Sequence, residues 1–287
     1  MSADLRYGYI GLGNMGAPMA GRLVDWPGGL VVFDLRTDAM TPLVEAGASL
    51  ADSVADVADA DIISVTVLND EQVRSVVGEL AQNATPGTVI AIHSTISPET
   101  AVELADLLRP SDIHIVDAPV SGGGAAAAKG ELAVMVGADR DVYERIKPAF
   151  KKFASMVIHA GPPGAGTRMK LARNMLTFIG FAAACEAMAL AEQAGIDLQQ
   201  LGRVVRHTDA LTGGPGAIMV RDDMRPLDHD NFLYESFLHT RGLGEKDLSL
   251  ALELGDSVSV ELPLARLALA NLAAGLGVPH VESSTEE

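Results

Sequence analysis

The sequence predicts an α/β domain built on a mainly parallel sheet with helices on both faces, followed by an all-helical domain. Three observations predict it. Between Tyr7 and Gly161, short β-branched runs alternate with longer stretches of helical character, as repeated βαβ units require. Several of the short runs are apolar almost throughout, which suits strands covered by helices on both sides. After Gly161-Pro162-Pro163-Gly164 the strand pattern stops and only helical segments follow. The expected division is therefore 1–163 for the sheet domain and 164–287 for the helical one.

In chain order, the expected strands are Tyr7–Ile10, Leu30–Phe33, Asp61–Val67, Thr88–His93, Ile113–Asp117, Leu132–Val136 and Met156–His159. The helices between them include Met15–Val24, Glu71–Leu80, Pro98–Leu108 and Asp141–Phe153. A long helix is expected over Thr167–Ala194, apolar on most of its circumference, with Gly195 as its left-handed stop. Its apolar spread predicts burial on more than one side, by its own domains and by a second subunit. Further helices to Leu276 are expected to break at Gly213–Gly216, Gly242–Gly244 and Pro263, and the acidic tail Glu282–Glu287 to fray.

The 287 residues are 48% apolar and 21% charged, with a mean hydropathy of +0.23, enough to bury a sizeable core. With 21 Lys and Arg against 38 Asp and Glu, the net charge of −17 argues against nucleic acid or an anionic membrane as partner. The single cysteine, Cys185, forms no internal disulfide and fits a reducing cytoplasm. Tyr7–Ala20 is uncharged, but its Gly11, Gly13, Gly16 and Pro18 disfavour a secretory helix. The apolar stretch Asn174–Cys185 is bounded by Arg173 and Glu186, too short for a spanning segment, and reads as a buried core helix. Asp228-His229-Asp230 is not a metal site on this reading, because adjacent residues rarely converge on one ion.

Gly11-Leu12-Gly13-Asn14-Met15-Gly16 follows a strand and opens a helix, the setting in which GxGxxG cradles a dinucleotide pyrophosphate. Gly11 allows the turn, Gly13 the approach of the phosphates, and Gly16 the packing of helix on strand. Asp34 closes the second strand where a carboxylate receives the ribose hydroxyls of NAD and repels the 2′-phosphate of NADP. Arg36, two residues on, is the feature that would favour NADP. A Rossmann-type domain with NAD as cofactor, and NADP as the weaker alternative, is the expectation.

Four further segments occur in a telling order: Ser94-Thr95, the run Asp117-Ala118-Pro119-Val120-Ser121-Gly122-Gly123, the run Gly164 to Asn174, and Lys246-Asp247-Leu248. In this order and spacing the chain resembles the β-hydroxyacid dehydrogenases, a family that includes 3-hydroxyisobutyrate dehydrogenase and tartronate semialdehyde reductase and is related to 6-phosphogluconate dehydrogenase. The resemblance implies a cleft between a Rossmann domain and a helical domain. It implies Lys170 as catalytic acid/base and Asn174 as the residue orienting substrate. It also implies that Ser121, Gly122 and Gly123 hold the substrate carboxylate, that Val67, Leu68 and Thr95 line the cofactor together with the loop Gly11, Leu12, Gly13, Asn14 and Met15, and that Lys246 closes over it.

The residues agree with this resemblance independently. Lys170 and Asn174 lie four apart, hence on one helix face, and a partly desolvated lysine can titrate near neutrality and exchange a hydroxyl proton. Departures limit the transfer of substrate: His239 replaces a usual aromatic, Arg173 stands where hydroxyisobutyrate enzymes have asparagine, and the Asp-x-Ser ending is missing. The reading is an NAD-dependent oxidoreductase of a small anionic 3-hydroxy acid such as 3-hydroxyisobutyrate, cytoplasmic and assembled as a homodimer or homotetramer. The alternatives are an NADPH-linked reductase of glyoxylate or a semialdehyde, and a non-catalytic nucleotide-binding regulator.

Overall fold

The computed structural model describes residues 5–280, so the expectation for the acidic tail lies outside the described residues. The described chain divides into two compact units, the first ending at Met175 and the second beginning at Leu176. That division falls inside the long helix, twelve residues beyond the boundary expected at 163/164.

The first unit is a sheet with helices on both faces. Strands β1 (Tyr7–Ile10), β2 (Leu30–Phe33), β3 (Ser49–Leu50), β4 (Ile62–Val65), β5 (Val89–Ile92) and β6 (His114–Asp117) are parallel, in the spatial order β3-β2-β1-β4-β5-β6. The order reverses beside β1, the switch point at which α/β sheets bind ligands. Three more strands extend the other edge: β7 (Val120–Ser121), β8 (Leu132–Gly137) and β9 (Ala154–Gly161). β8 runs antiparallel to β6 and β7 and parallel to β9.

Period-2 alternation divides the core between the two faces. Tyr7 and Tyr9, Leu30 and Val32, and Val89 and Ala91 join one apolar cluster, in which α1 (Gly16–Gly21) places Met19 and Ala20 and α6 (Arg140–Phe150) places Ile146 and Phe150. Ile10, Ile63, Val65, Ile90 and Ile92 join the other, covered by Val73, Val77 and Leu80 of α3 (Asp70–Ala81) and Leu104 and Leu108 of α4 (Pro98–Leu108). The helix starts follow local chemistry. The Asn69 side chain accepts the Gln72 amide at the head of α3, and Ser97 accepts the Glu99 amide before Pro98 opens α4.

Two strands and two α-helices lie outside the expected set: β3, β7, α2 (Thr37–Glu45) and α5 (Gly123–Lys129). α5 begins with two glycines and contains no large apolar residue, so no periodicity marks it. The helix expected over Met15–Val24 is only Gly16–Gly21.

Helix α7 (Ala165–Gln193) matches the expected long helix, and Gly195 ends it at φ +76°. The second unit continues with α8 (Leu198–Thr212), a 3-10 turn over Gly214–Ile218, α9 (Tyr234–Ser257) and α10 (Pro263–Leu276). One expected break is corrected. α9 passes straight through Gly242 and Gly244, because Gly244 serves contact: a Cβ there would lie 2.5 Å from Leu272 Cδ2 on α10.

The cover expected for α7 includes a second subunit, and within the single chain only Gly166, Thr167 and Lys170 of this helix are buried. Met175, Phe178 and Phe181 are each more than 60% exposed, so Asn174–Cys185 is not a core helix of the single chain. By length and composition α7 could cross a membrane. Both ends are nevertheless tied into folded protein. Lys170 is bonded within the sheet unit, and Glu186 caps α10 in the second unit, accepting from the amides of Leu264 (2.8 Å) and Ala265 (3.1 Å).

Candidate functional site

The glycine loop between β1 and α1 is built as the motif requires. Gly11 has φ +89°, and a Cβ there would stand 2.1 Å from the Thr66 carbonyl oxygen. At Gly16 a Cβ would lie 1.9 Å from the Gly11 carbonyl oxygen, so the helix closes tightly on the loop. Gly13 is different: no atom lies within 4 Å of its would-be Cβ. The missing side chain therefore keeps space open above the loop, the condition a bound pyrophosphate needs.

Asp34, at the end of β2, anchors this loop. Its Oδ2 accepts the Leu12 amide at 2.6 Å and its Oδ1 the Arg36 amide at 2.8 Å. A carboxylate has about four acceptor positions, so two remain for ribose hydroxyls. The Arg36 guanidinium lies 3.7 Å from Asp34 Oδ1 and is 62% exposed, a loose pair of little energy.

A cleft of about 540 Å³ opens here, lined by Gly11, Gly13, Asp34, Val67 and Leu68 of the expected set, with Arg36 at its edge. Its other wall is a face of α3 that the sequence reading missed: Gln72, Ser75, Val76 and Glu79. Their spacing of three, one and three is a helical stripe and was the available signal. Gln72 Oε1 accepts the Leu68 amide at 2.9 Å, while Ser94 Oγ accepts the Val67 amide and donates to the Val67 carbonyl at 2.6 Å. Thr95 is exposed beyond the end of β5 and does not line this cleft.

Asn14 and Met15 lead into α1, and the Asn14 carbonyl would stand 2.9 Å from a Cβ on Gly124. That contact sets α5, and with it Ser121, Gly122 and Gly123, beside the dinucleotide loop. Ser121 belongs to β7 and pairs with Ala133. Gly122 and Gly123 have φ of +135° and +78°, and the space where a Gly123 Cβ would project is open.

Lys170 sits one turn into α7 and is 8% exposed. Its Nζ donates to the Val120 carbonyl at 2.6 Å and to Ser121 Oγ at 2.9 Å. Burial, and after it the positive charge of Arg173, holds the ammonium below the ordinary lysine range. Asn174 is half-buried one turn on, with the Arg173 guanidinium 3.4 Å from its Oδ1.

Asp117, to which the sequence alone assigns no role, fixes this arrangement. Fully buried at the end of β6, it accepts the Gly164 amide through Oδ1 and the Thr167 amide through Oδ2, each at 2.6 Å. It thereby pins the start of α7, and so Lys170, to the sheet. Burial pushes its carboxyl pKa up against these two bonds. Gly137 and Gly166 permit the approach: a Cβ on Gly137 would lie 2.1 Å from Asp117 Oδ1, and one on Gly166 would lie 2.3 Å from the Met135 carbonyl oxygen.

Lys246 is on α9 in the second unit, exposed, with its Nζ 3.0 Å from Asp247. Within that unit its surroundings are those of a charged helix face.

Comparison with known proteins decides the family. Residues 6–161 match the model of the NAD binding domain of 6-phosphogluconate dehydrogenase, and residues 164–278 the model of the NAD-binding region of NADP-dependent 3-hydroxyisobutyrate dehydrogenase. The chain belongs to the β-hydroxyacid dehydrogenase family. Among relatives of this β-hydroxyacid dehydrogenase is the NAD-dependent L-serine dehydrogenase of Pseudomonas aeruginosa, 36% identical over 91% of this chain and 89% of the relative. A crystal structure of a Mycobacterium avium 104 protein named as an oxidoreductase is 78% identical, with a TM-score of 0.94 over 96% of this chain and all of the other. The Mycobacterium tuberculosis 3-hydroxyisobutyrate dehydrogenase, solved with L-serine, is 30% identical, with a TM-score of 0.67 over 96% of each chain. As a member of this family the protein is an NAD(P)-dependent hydroxyacid oxidoreductase with an N-terminal Rossmann domain and a helical C-terminal domain.

Proposed function

We propose that the protein oxidises the β-hydroxyl of a small 3-hydroxy acid, with Lys170 as general acid/base and NAD as the preferred cofactor. The observation that carries the reading is the buried Lys170 ammonium, hydrogen-bonded to Val120 and Ser121 beside the loop next to the dinucleotide cleft. The residues present fit the cofactor: open space over Gly13, a ribose acceptor at Asp34, and a cleft of about 540 Å³. Bound NAD supplies the hydride acceptor at its nicotinamide ring. Burial favours the uncharged amine of Lys170, which takes the hydroxyl proton as the carbon loses hydride and returns it in reduction.

Ser121 and the amides of Gly122 and Gly123 hold the substrate carboxylate on this reading, and Asn174 orients the hydroxyl. Val67 and Leu68 line the cofactor from the cleft on this reading, and the family resemblance adds Thr95, which lies outside that cleft, and Lys246. 3-Hydroxyisobutyrate is the first candidate substrate, and L-serine, itself a 3-hydroxy acid named with two of the relatives, is the second. The exposure of Arg36 favours one further reading, in which its guanidinium admits the 2′-phosphate of NADP.

A domain boundary at 163/164 is supported by the two family matches, which end at 161 and begin at 164, although the compact units themselves divide at 175/176 within α7. The exposed apolar surface of α7 supports a homodimer or homotetramer that covers it, and the single reduced cysteine supports a cytoplasmic location. The test is NAD(P)H production from a panel of 2- and 3-hydroxy acids by the wild type and Lys170→Ala. The variant is expected to bind NADH within about two-fold of wild type and to lose about 10²–10⁴ in turnover. Wild-type turnover in the variant refutes the assignment.

A further inference from the structure

His93 follows β5 and is 3% exposed, yet no step of the proposed reaction uses it. Its Nδ1 lies 2.8 Å from the Ala118 carbonyl oxygen, an acceptor only, so Nδ1 carries the proton. Its Nε2, 2.8 Å from Ser64 Oγ, is then the acceptor, and Ser64 in turn accepts from the Tyr7 hydroxyl at 2.7 Å. One directed chain results, from Tyr7 through Ser64 and His93 to the Ala118 carbonyl. Rings fix the imidazole in place: Tyr9 stacks on it with centroids 6.4 Å apart, and Phe150 and Phe153 meet it edge-on at 5.3 and 5.6 Å.

The bond to Ala118 lands where it matters. Ala118 and Pro119 lead directly to Val120, whose carbonyl receives Lys170 Nζ, and to Ser121, its second partner. The next residue after His93, Ser94, clamps Val67 on the cofactor side through both its amide and its carbonyl. His93-Ser94 therefore links the loop after β4 to the loop after β6.

We propose that His93 is a positioning residue that, through Ala118, sets the Val120 carbonyl and Ser121 hydroxyl against Lys170. The proposal rests on the reading of Lys170 as the acid/base, and its test includes a readout independent of turnover. An asparagine at this position can present its amide N–H where Nδ1 stands, whereas a glutamine reaches instead toward Ser64. His93→Gln should lose about ten-fold in kcat with the NADH dissociation constant within two-fold of wild type, and His93→Asn should recover most of that loss. In the substrate-free protein, acetylation of Lys170 by acetic anhydride at pH 7, read by peptide mass spectrometry against the exposed lysines, should be several-fold faster in His93→Gln than in wild type or His93→Asn. Ser64→Ala should lower thermal stability without changing the labelling of Lys170.

If His93→Gln does not fold, His93→Leu, which has no donor, takes its place in both measurements. Unchanged labelling of Lys170 in the folded donor-less variant overturns the proposal, as does equal loss in the Gln and Asn variants. Faster labelling with unchanged turnover upholds the positioning and refutes Lys170 as the catalytic group.

Discussion

Acid should destabilise the sheet unit through His93 before it protonates carboxylates. Burial holds the His93 imidazole down to about 4 from an ordinary 6.5, the bond to Ala118 only partly opposing the shift. Above pH 6.5 the ring is neutral in folded and unfolded chains alike and adds no pH dependence. Between pH 6.5 and 4 the unfolded chain takes up a proton that the folded chain refuses, so stability falls as pH falls and the loss is complete below 4. The interval of about 2.5 units corresponds to about 3 kcal/mol, with a limiting slope of about 1.4 kcal/mol per pH unit. At about 2–4 °C per kcal/mol for a unit of this size, the transition should drop by about 6–12 °C. Urea and thermal unfolding of wild type and His93→Asn, measured every half unit from pH 7 to pH 4.5, isolates the effect, because other titrating groups are common to both proteins. The variant should start less stable and show the shallower slope. Parallel slopes would show that His93 protonates in the folded state, and the argument from its burial would fail.

Asp34→Ala with Arg36 retained should weaken NADH binding and raise NADPH affinity relative to it, read as the ratio of dissociation constants by fluorescence titration; an unmoved ratio separates Asp34 from the ribose. It should also loosen the glycine loop, because the Leu12 amide loses its acceptor. Gly13→Ala should leave the melting temperature within about 2 °C while weakening NADH binding at least ten-fold, whereas Gly16→Ala, whose Cβ meets the Gly11 carbonyl at 1.9 Å, should cost about 1–3 kcal/mol of stability. Stability lost equally in both would contradict the open space over Gly13. Light scattering at micromolar protein should report a dimer or tetramer, and Phe178→Glu should shift it toward smaller species. A wild-type species of the 29.9 kDa chain mass would defeat the oligomer proposal and leave the dehydrogenase reading standing.

Local chemistry makes much of this molecule legible in its sequence. β1, β2 and α4 fall on their expected bounds, because apolar runs closed by turn residues, and the Ser97-Pro98 start, carry their own signals. The dinucleotide loop was readable for the same reason, since each glycine answers a steric demand within a few residues. Elements too short to show a period escaped: β7 has two residues, and α5 looked like a glycine-rich loop. Gly242 and Gly244 read as a break, while the closest neighbour of Gly244 is Leu272, 28 positions away.

The sequence by itself determined the α/β order and the dinucleotide loop, which depend on spacing along a few residues, and it marked Asp34 and, through the family resemblance, Lys170 as candidate site residues. Only the tertiary structure decided what that lysine experiences. The acceptor of Lys170 lies 50 residues away at Val120, the anchor of its helix is the Asp117 carboxylate on another strand, and the cleft wall at Gln72 and Glu79 arrives from α3. The exposure of α7 was likewise decided by packing, not by its composition. Hydrogen-bond geometry and desolvation act through space, so the pKa that suits Lys170 to its proposed chemistry exists only once distant parts of the chain have enclosed it.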